Sequence, residues 1–158
     1  ARLAENARAS GRPWALIVGD LDHFKRVNDR HGHVAGDAVL QAVAQRLRDC
    51  LRAEDFVARI GGEEFLIAMP DTDRSGAVEA AERIRRAIAA EPVPVPGQTA
   101  AVPVTMSLGV AIARPGEGGD AGQDNVMRVI ARADKALYGS KERGRNSVTL
   151  GHRPRPAA

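Results

Sequence analysis

Cysteine occurs once among the 158 residues, as Cys50, so an intramolecular disulfide and a cysteine-rich metal centre are both ruled out. Cys50 stands in phase with Val43 and Leu47 on one helical face. There a thiol packs as a small hydrophobe, a usage that fits a reducing, cytoplasmic setting. Aromatics are scarce, with one Trp, one Tyr and three Phe, and the formal net charge is only +3. Neither a row of stacking rings nor a broad basic surface is available, and nucleic acid is not an expected partner. No apolar run approaches the roughly 18–20 residues of a membrane span. The opening ARLAENARASGRP lacks the apolar stretch of a secretory signal, so no direct membrane contact is expected. The phosphate-binding pattern GxxxxGK[ST] is missing, which excludes a P-loop enzyme, and there is no internal repeat. What remains, 44% hydrophobic and 27% charged residues, suits one globular domain with a substantial core.

Apolar periodicity divides the chain into alternating elements. WALIVGDLD (14–22) is apolar and β-branched before it turns acidic, which predicts a buried strand ending near Asp20, with a short helix from His23. Leu40, Val43, Ala44, Leu47 and Leu51 predict an amphipathic helix over 36–51. Residues 55–69 read as a hairpin. Ala77, Ala81, Ile84 and Ile88 predict a helix over 73–90 with Asp73 as its N-cap. EPVPVPGQTAA breaks the pattern, VPVTMSLGVAIA (102–113) reads as a strand, and RPGEGGDAGQD as a loop. Val126, Val129, Ile130, Ala133 and Leu137 mark a last helix, with a short strand at 147–150 and a disordered tail at 151–158. The expected fold is a mixed α/β sandwich around one sheet.

Two acidic clusters stand out. In ARIGGEEFLIAMP (58–70), Gly61 and Gly62 suit a two-residue type I′ turn, which needs positive φ at both central positions. That register sets Ile60 opposite Glu63 and Arg59 opposite Glu64, and puts the two glutamates on different faces of a doubly covered sheet. In GDLDHFKRVND, Asp20 and Asp22 close a buried strand just before a helix start. First-turn N–H groups, the helix dipole and Lys25 there suit phosphate. Asp22 could instead serve only as a cap. Carboxylates from neighbouring strand ends beside an anion-binding helix start suit a divalent cation gripping a nucleoside triphosphate, and hard oxygen ligands favour Mg²⁺, with Mn²⁺ as a substitute.

GGEEF, preceded by DLDHFKRVNDRHGHVAGD and followed by SLGVA and ADKALYGSKERGRN, resembles the GGDEF family of diguanylate cyclases, which condense two GTP into cyclic di-GMP. The likeness runs from about Trp14 to Val148 through several separated motifs in order. It implies a central, mostly antiparallel five-stranded sheet flanked by helices, related to nucleotidyl cyclase and palm domains. It also implies metal ligation by Asp20, the Leu21 carbonyl and Glu63, with Glu64 at a second metal. Glu63 would accept the 3′-hydroxyl proton, with Glu64 and Lys25 assisting. Asn28 and Asp37 would read guanine, with His33 and Phe24 near the nucleotide and Lys141 and Arg145 on its phosphates. Arg52 and Asp55, in RAED, match the family's product-binding RxxD, and Arg83 would be a secondary contact. The implied assembly is a catalytic homodimer driven by an upstream sensory or receiver module. The family's opening DxLTGLxNR segment is missing here, which suggests that the chain starts after it. The alternatives are an inactive domain serving as a GTP or cyclic di-GMP receptor, and a cyclase acting on a single nucleotide.

Overall fold

The computed structural model describes residues 9–114 and 122–152. The chain order is β1 (Trp14–Leu21), α1 (Phe24–His31), α2 (His33–Cys50), β2 (Phe56–Arg59), β3 (Glu64–Met69), α3 (Arg74–Ala89), β4 (Met106–Ala113), α4 (Gly122–Glu142) and β5 (Val148–Leu150). The strands form one sheet in the order β2-β3-β1-β4-β5. All neighbours run antiparallel except β4 and β5. The five-stranded, mostly antiparallel sheet is as expected. Most of the loop expected at 114–124, and the tail from residue 153 on, lie outside the described residues.

β1 lies at the centre and is buried along its whole length, which is why WALIVGDL is continuously apolar rather than alternating. Ile17, Phe65, Ile67, Met106, Leu108 and Val110 pack on one face against α1, α2 and α3. Leu16, Val18, Ala68, Ala111 and α4 residues Val129, Ala133 and Leu137 form a second core on the other. Gly109 makes that second layer possible: a Cβ there would stand 2.1 Å from the Ala133 carbonyl oxygen and 2.3 Å from the Leu137 nitrogen. Cys50 is half-buried against the first core.

Three local expectations differ from the structure. The 102–113 strand starts only at Met106. Pro103 cannot donate to a ladder, and Val102 instead makes an isolated bridge with Val93. α2 begins at His33, upstream of the expected Gly36, because Gly32 breaks the helical path with φ 87°. The hairpin register is shifted by one residue: Arg59 faces Phe65, and Ile60 N–H donates to the Glu64 carbonyl at 2.9 Å. The turn therefore holds Gly61, Gly62 and Glu63, and neither glycine has positive φ, so it is not a type I′ turn. The shift turns β2 over, so Val57 packs with Ile67 on the first core. Phe56 and Ile60 are left exposed on the opposite face. Asp73 caps α3 as expected, accepting from Gly76 N–H at 2.9 Å. Among the described residues no helix is long and apolar enough to cross a membrane.

Candidate functional site

β1 and β3 are neighbours, so their ends bring Asp20 and the two glutamates together. Asp20 sits directly across from Glu64 in the β1–β3 register, and the two share the face of the sheet that α4 covers. Glu63 reaches the same end from the turn, its carbonyl accepting from Leu21 N–H at 3.2 Å. Both glutamates thus border the site. The expected separation of the two glutamates onto opposite faces fails because the one-residue shift leaves Glu63 in the turn rather than in β3. The Glu64 carboxylate folds back over Gly61, where a Cβ would stand 2.9 Å from Oε2.

Asp20 is buried and pairs with Lys141 Nζ at 3.1 Å. Burial raises its pKa, the Lys141 contact opposes that, the Asp22 charge adds to it, and Arg145 lowers it. Glu63 is likewise raised, first by burial and then by Asp20, with Lys141 opposing and Glu64 adding. The two carboxyls therefore feel each other and the same lysine. A cation placed between them would favour the charged form of both. Among the described residues no group of three or more His, Cys, Asp or Glu side chains is placed to hold a metal ion. Two or three hard carboxylate oxygens beside an anion-binding surface suit Mg²⁺, which relies on few protein carboxylates and takes further ligands from phosphates and water.

α1 opens beside this pole. Its turns begin with Arg26 N–H on the His23 carbonyl at 2.9 Å, so the N–H groups of Phe24 and Lys25 lie ahead of the helical ladder. The Phe24 ring is buried in the first core, and what this residue can offer a ligand is its backbone. Lys25 is exposed. Asp22 is no cap: the N-cap is His23, in a left-handed conformation and without a side-chain bond. Asp22 instead accepts from Thr105, Ser107 and the Asn146 backbone. Nothing in the sequence pairs Asp22 with Thr105 and Ser107, which lie 83 and 85 residues away.

Asn28 lies against α2 because Gly36 has no side chain; a Cβ there would stand 1.9 Å from Asn28 Oδ1. Asp37, one residue on, is exposed and lines a cavity of about 440 Å³ with Leu40, Gln41, Val57, Arg59 and Phe65. Gly36 went unremarked in the sequence, although it stands immediately before Asp37. His33 is exposed at the start of α2. Lys141 closes α4, and Arg145 follows in a left-handed turn with φ 66°.

Arg52 and Asp55 belong to a separate loop after α2. Asp55 Oδ2 accepts from Arg52 N–H at 2.9 Å, while the buried Oδ1 has no hydrogen-bond partner among the described residues. Arg83 reaches this loop from α3, donating to the Cys50 carbonyl at 3.0 and 3.3 Å.

A family model described as "Diguanylate cyclase, GGDEF domain" matches residues 1–147. Diguanylate cyclase A of Treponema denticola is 39% identical over 144 residues, which is 91% of this chain and 37% of that protein. Diguanylate cyclase DgcP of Pseudomonas aeruginosa is 44% identical over 140 residues, 89% of this chain and 20% of that protein. The chain thus spans well under half the length of these curated relatives. The crystal structure of the GGDEF domain of DgcB from Caulobacter crescentus in complex with c-di-GMP superposes with a TM-score of 0.84 at 36% identity. That match covers 94% of this chain and 84% of the other.

Proposed function

Because the chain belongs to the GGDEF family of diguanylate cyclase domains, we propose that it condenses two GTP into cyclic di-GMP, releasing two pyrophosphates. The observation that carries this reading is the meeting of Asp20, Glu63, Glu64 and Lys141 at one end of the sheet, beside the start of α1. In each half-reaction a 3′-hydroxyl oxygen bonds to the α-phosphorus of the other GTP. The bond from that phosphorus to the pyrophosphate oxygen breaks, and the hydroxyl proton leaves. Glu63, its affinity for a proton raised by burial and by Asp20, suits the role of acceptor, with Glu64 beside it. Lys141, Arg145, Lys25 and the first N–H groups of α1 hold the triphosphate. Asn28 and Asp37 pair with guanine, whose N1–H and amino group suit acceptor oxygens; His33 and the Phe24 backbone border the nucleotide. Asp20, the Leu21 carbonyl, Glu63 and Glu64 are the residues that would hold Mg²⁺ or Mn²⁺. Bound there, the ion would neutralise charge developing on the phosphate oxygens.

One chain offers one GTP site, so catalysis calls for two chains meeting face to face. Control falls to an upstream sensory or receiver module in the longer protein, in a cytoplasmic setting. Product inhibition at Arg52 and Asp55 is supported by the buried Asp55 Oδ1, which has no partner among the described residues and is an acceptor suited to a donor from a guanine edge. Arg83 lies beside it.

Incubation with GTP and Mg²⁺ is expected to yield cyclic di-GMP by mass spectrometry. Glu63→Gln should cut turnover at least about 100-fold while leaving the fold intact. A cyclic mononucleotide would instead establish the one-nucleotide cyclase, and GTP binding without turnover the receptor. Mg²⁺ alone should raise the melting temperature of the wild type but not of Asp20→Asn.

A further inference from the structure

Asp22 is 8% exposed and has no part in the roles above. Its Oδ1 accepts from Ser107 Oγ at 2.6 Å, and its Oδ2 from Thr105 Oγ1 at 2.6 Å and from the Asn146 backbone N–H at 3.0 Å. The last contact crosses from the end of β1 to the turn between α4 and β5. That turn is unusual in its backbone. Arg145 and Asn146 are consecutive left-handed residues, with φ 66° and 42°, a conformation that costs energy for side chains other than glycine. It persists because bonds hold it on several sides. Arg145 N–H donates to the Ser140 carbonyl at 3.0 Å, Asp22 holds the next N–H, and Arg85 Nη1 on α3 donates to Asn146 Oδ1 at 3.0 Å. Arg85 is itself steadied by Glu82 at 3.0 Å. Lys141, paired with Asp20, lies one helical turn before this segment, and Arg145 lies within it.

We propose that Asp22 and Arg85 are positioning residues that clamp the 143–146 turn from the strand side and the α3 side, and so hold Arg145 and Lys141 against the nucleotide triphosphate without touching it. The proposal rests on the GTP-binding reading of the site. A buried carboxylate serves here better than a neutral group because three donors converge on it, and a charged acceptor strengthens each bond.

The clamp has its own readout. Amide hydrogen exchange at Asn146 is expected to speed up about tenfold or more in Asp22→Ala, because the N–H loses its acceptor. The GTP KM should rise about tenfold while kcat stays within about threefold, the pattern of lost ground-state placement. Asp22→Asn should restore most of both, since its carbonyl oxygen can serve Asn146 and Thr105 while the Ser107 hydroxyl turns to accept. Cyclic di-GMP affinity at Arg52 and Asp55 should not change. Arg85→Ala carries the same expectations if Asp22→Ala does not fold. Unchanged exchange at Asn146, an unchanged KM, or an equal loss of cyclic di-GMP affinity would overturn the clamp. A wild type that binds GTP yet makes no product would remove the cyclase reading alone, and exchange with GTP affinity would still decide the clamp.

Discussion

Asp20 and Glu63 face each other's charge in a partly dry pocket, and both have pKa values raised chiefly by burial. A carboxyl whose folded pKa exceeds its unfolded value keeps its proton longer in the folded state. Stability therefore falls as pH rises from the ordinary carboxyl range through the raised values, and levels off above them. In metal-free buffer, urea unfolding of wild type against Asp20→Asn/Glu63→Gln should show the variant gaining on the wild type as pH climbs through that window. A variant that lost ground there would contradict the charge arrangement. Gly36 is held to its residue type by Asn28. An added methyl must displace Asn28 Oδ1, 1.9 Å from where it would stand. Gly36→Ala is thus expected to raise the GTP KM about tenfold, the worth of one hydrogen bond, with the circular dichroism spectrum unchanged. Asp20, Glu63 and Glu64 were legible in the sequence because carboxylates are rare beside apolar runs, whereas Lys141 and Arg145 stood out only through the family resemblance. The roles of Asp22 and Gly36 were not legible, because a clip and a close approach are defined only by what lies opposite.

Glycine pairs in a hairpin suggest positive φ, yet Gly61 and Gly62 have none, and a Cβ on Gly62 meets nothing within 4 Å. Gly62→Ala should therefore change stability by no more than about 0.5 kcal/mol. Gly109 is the opposite case, since its missing side chain is what lets α4 lie on β4. The atoms it would strike are backbone and cannot swing away, so Gly109→Ala should cost about 1–3 kcal/mol or more in urea unfolding. The sequence pattern marked Gly61 and Gly62 and passed over Gly109, whose role depends on a helix packing across it. Among the described residues, the sequence pattern located the four helices named above and the strands to within a few residues. The Gly61–Gly62 turn rule misread the hairpin by one position, and alternation could not correct it, because either register satisfies it when both faces of β3 are apolar.

For the whole molecule, the site gathers the ends of β1 and β3, the start of α1 and the end of α4, so it exists only in the closed fold. On the proposed reading it holds the groups for one nucleotide per chain. On the proposed reaction, cyclic di-GMP formed per chain should rise with protein concentration and approach a plateau as dimers saturate. A rate per chain constant from dilute to concentrated protein would argue against the paired arrangement.

The order of residues alone pointed to the class of fold and to the acidic strand end with its helix start, while the cationic end of α4 stood out only through the family resemblance. The first two follow from local periodicity and from carboxylates stranded beside apolar runs. Folding in three dimensions decided the rest: which glutamate lies across from Asp20, that Asp22 ties down the 143–146 turn instead of capping α1, and which glycines are indispensable. Such facts depend on register and on contacts between segments far apart in the chain, where a shift of one residue or one methyl changes what meets what.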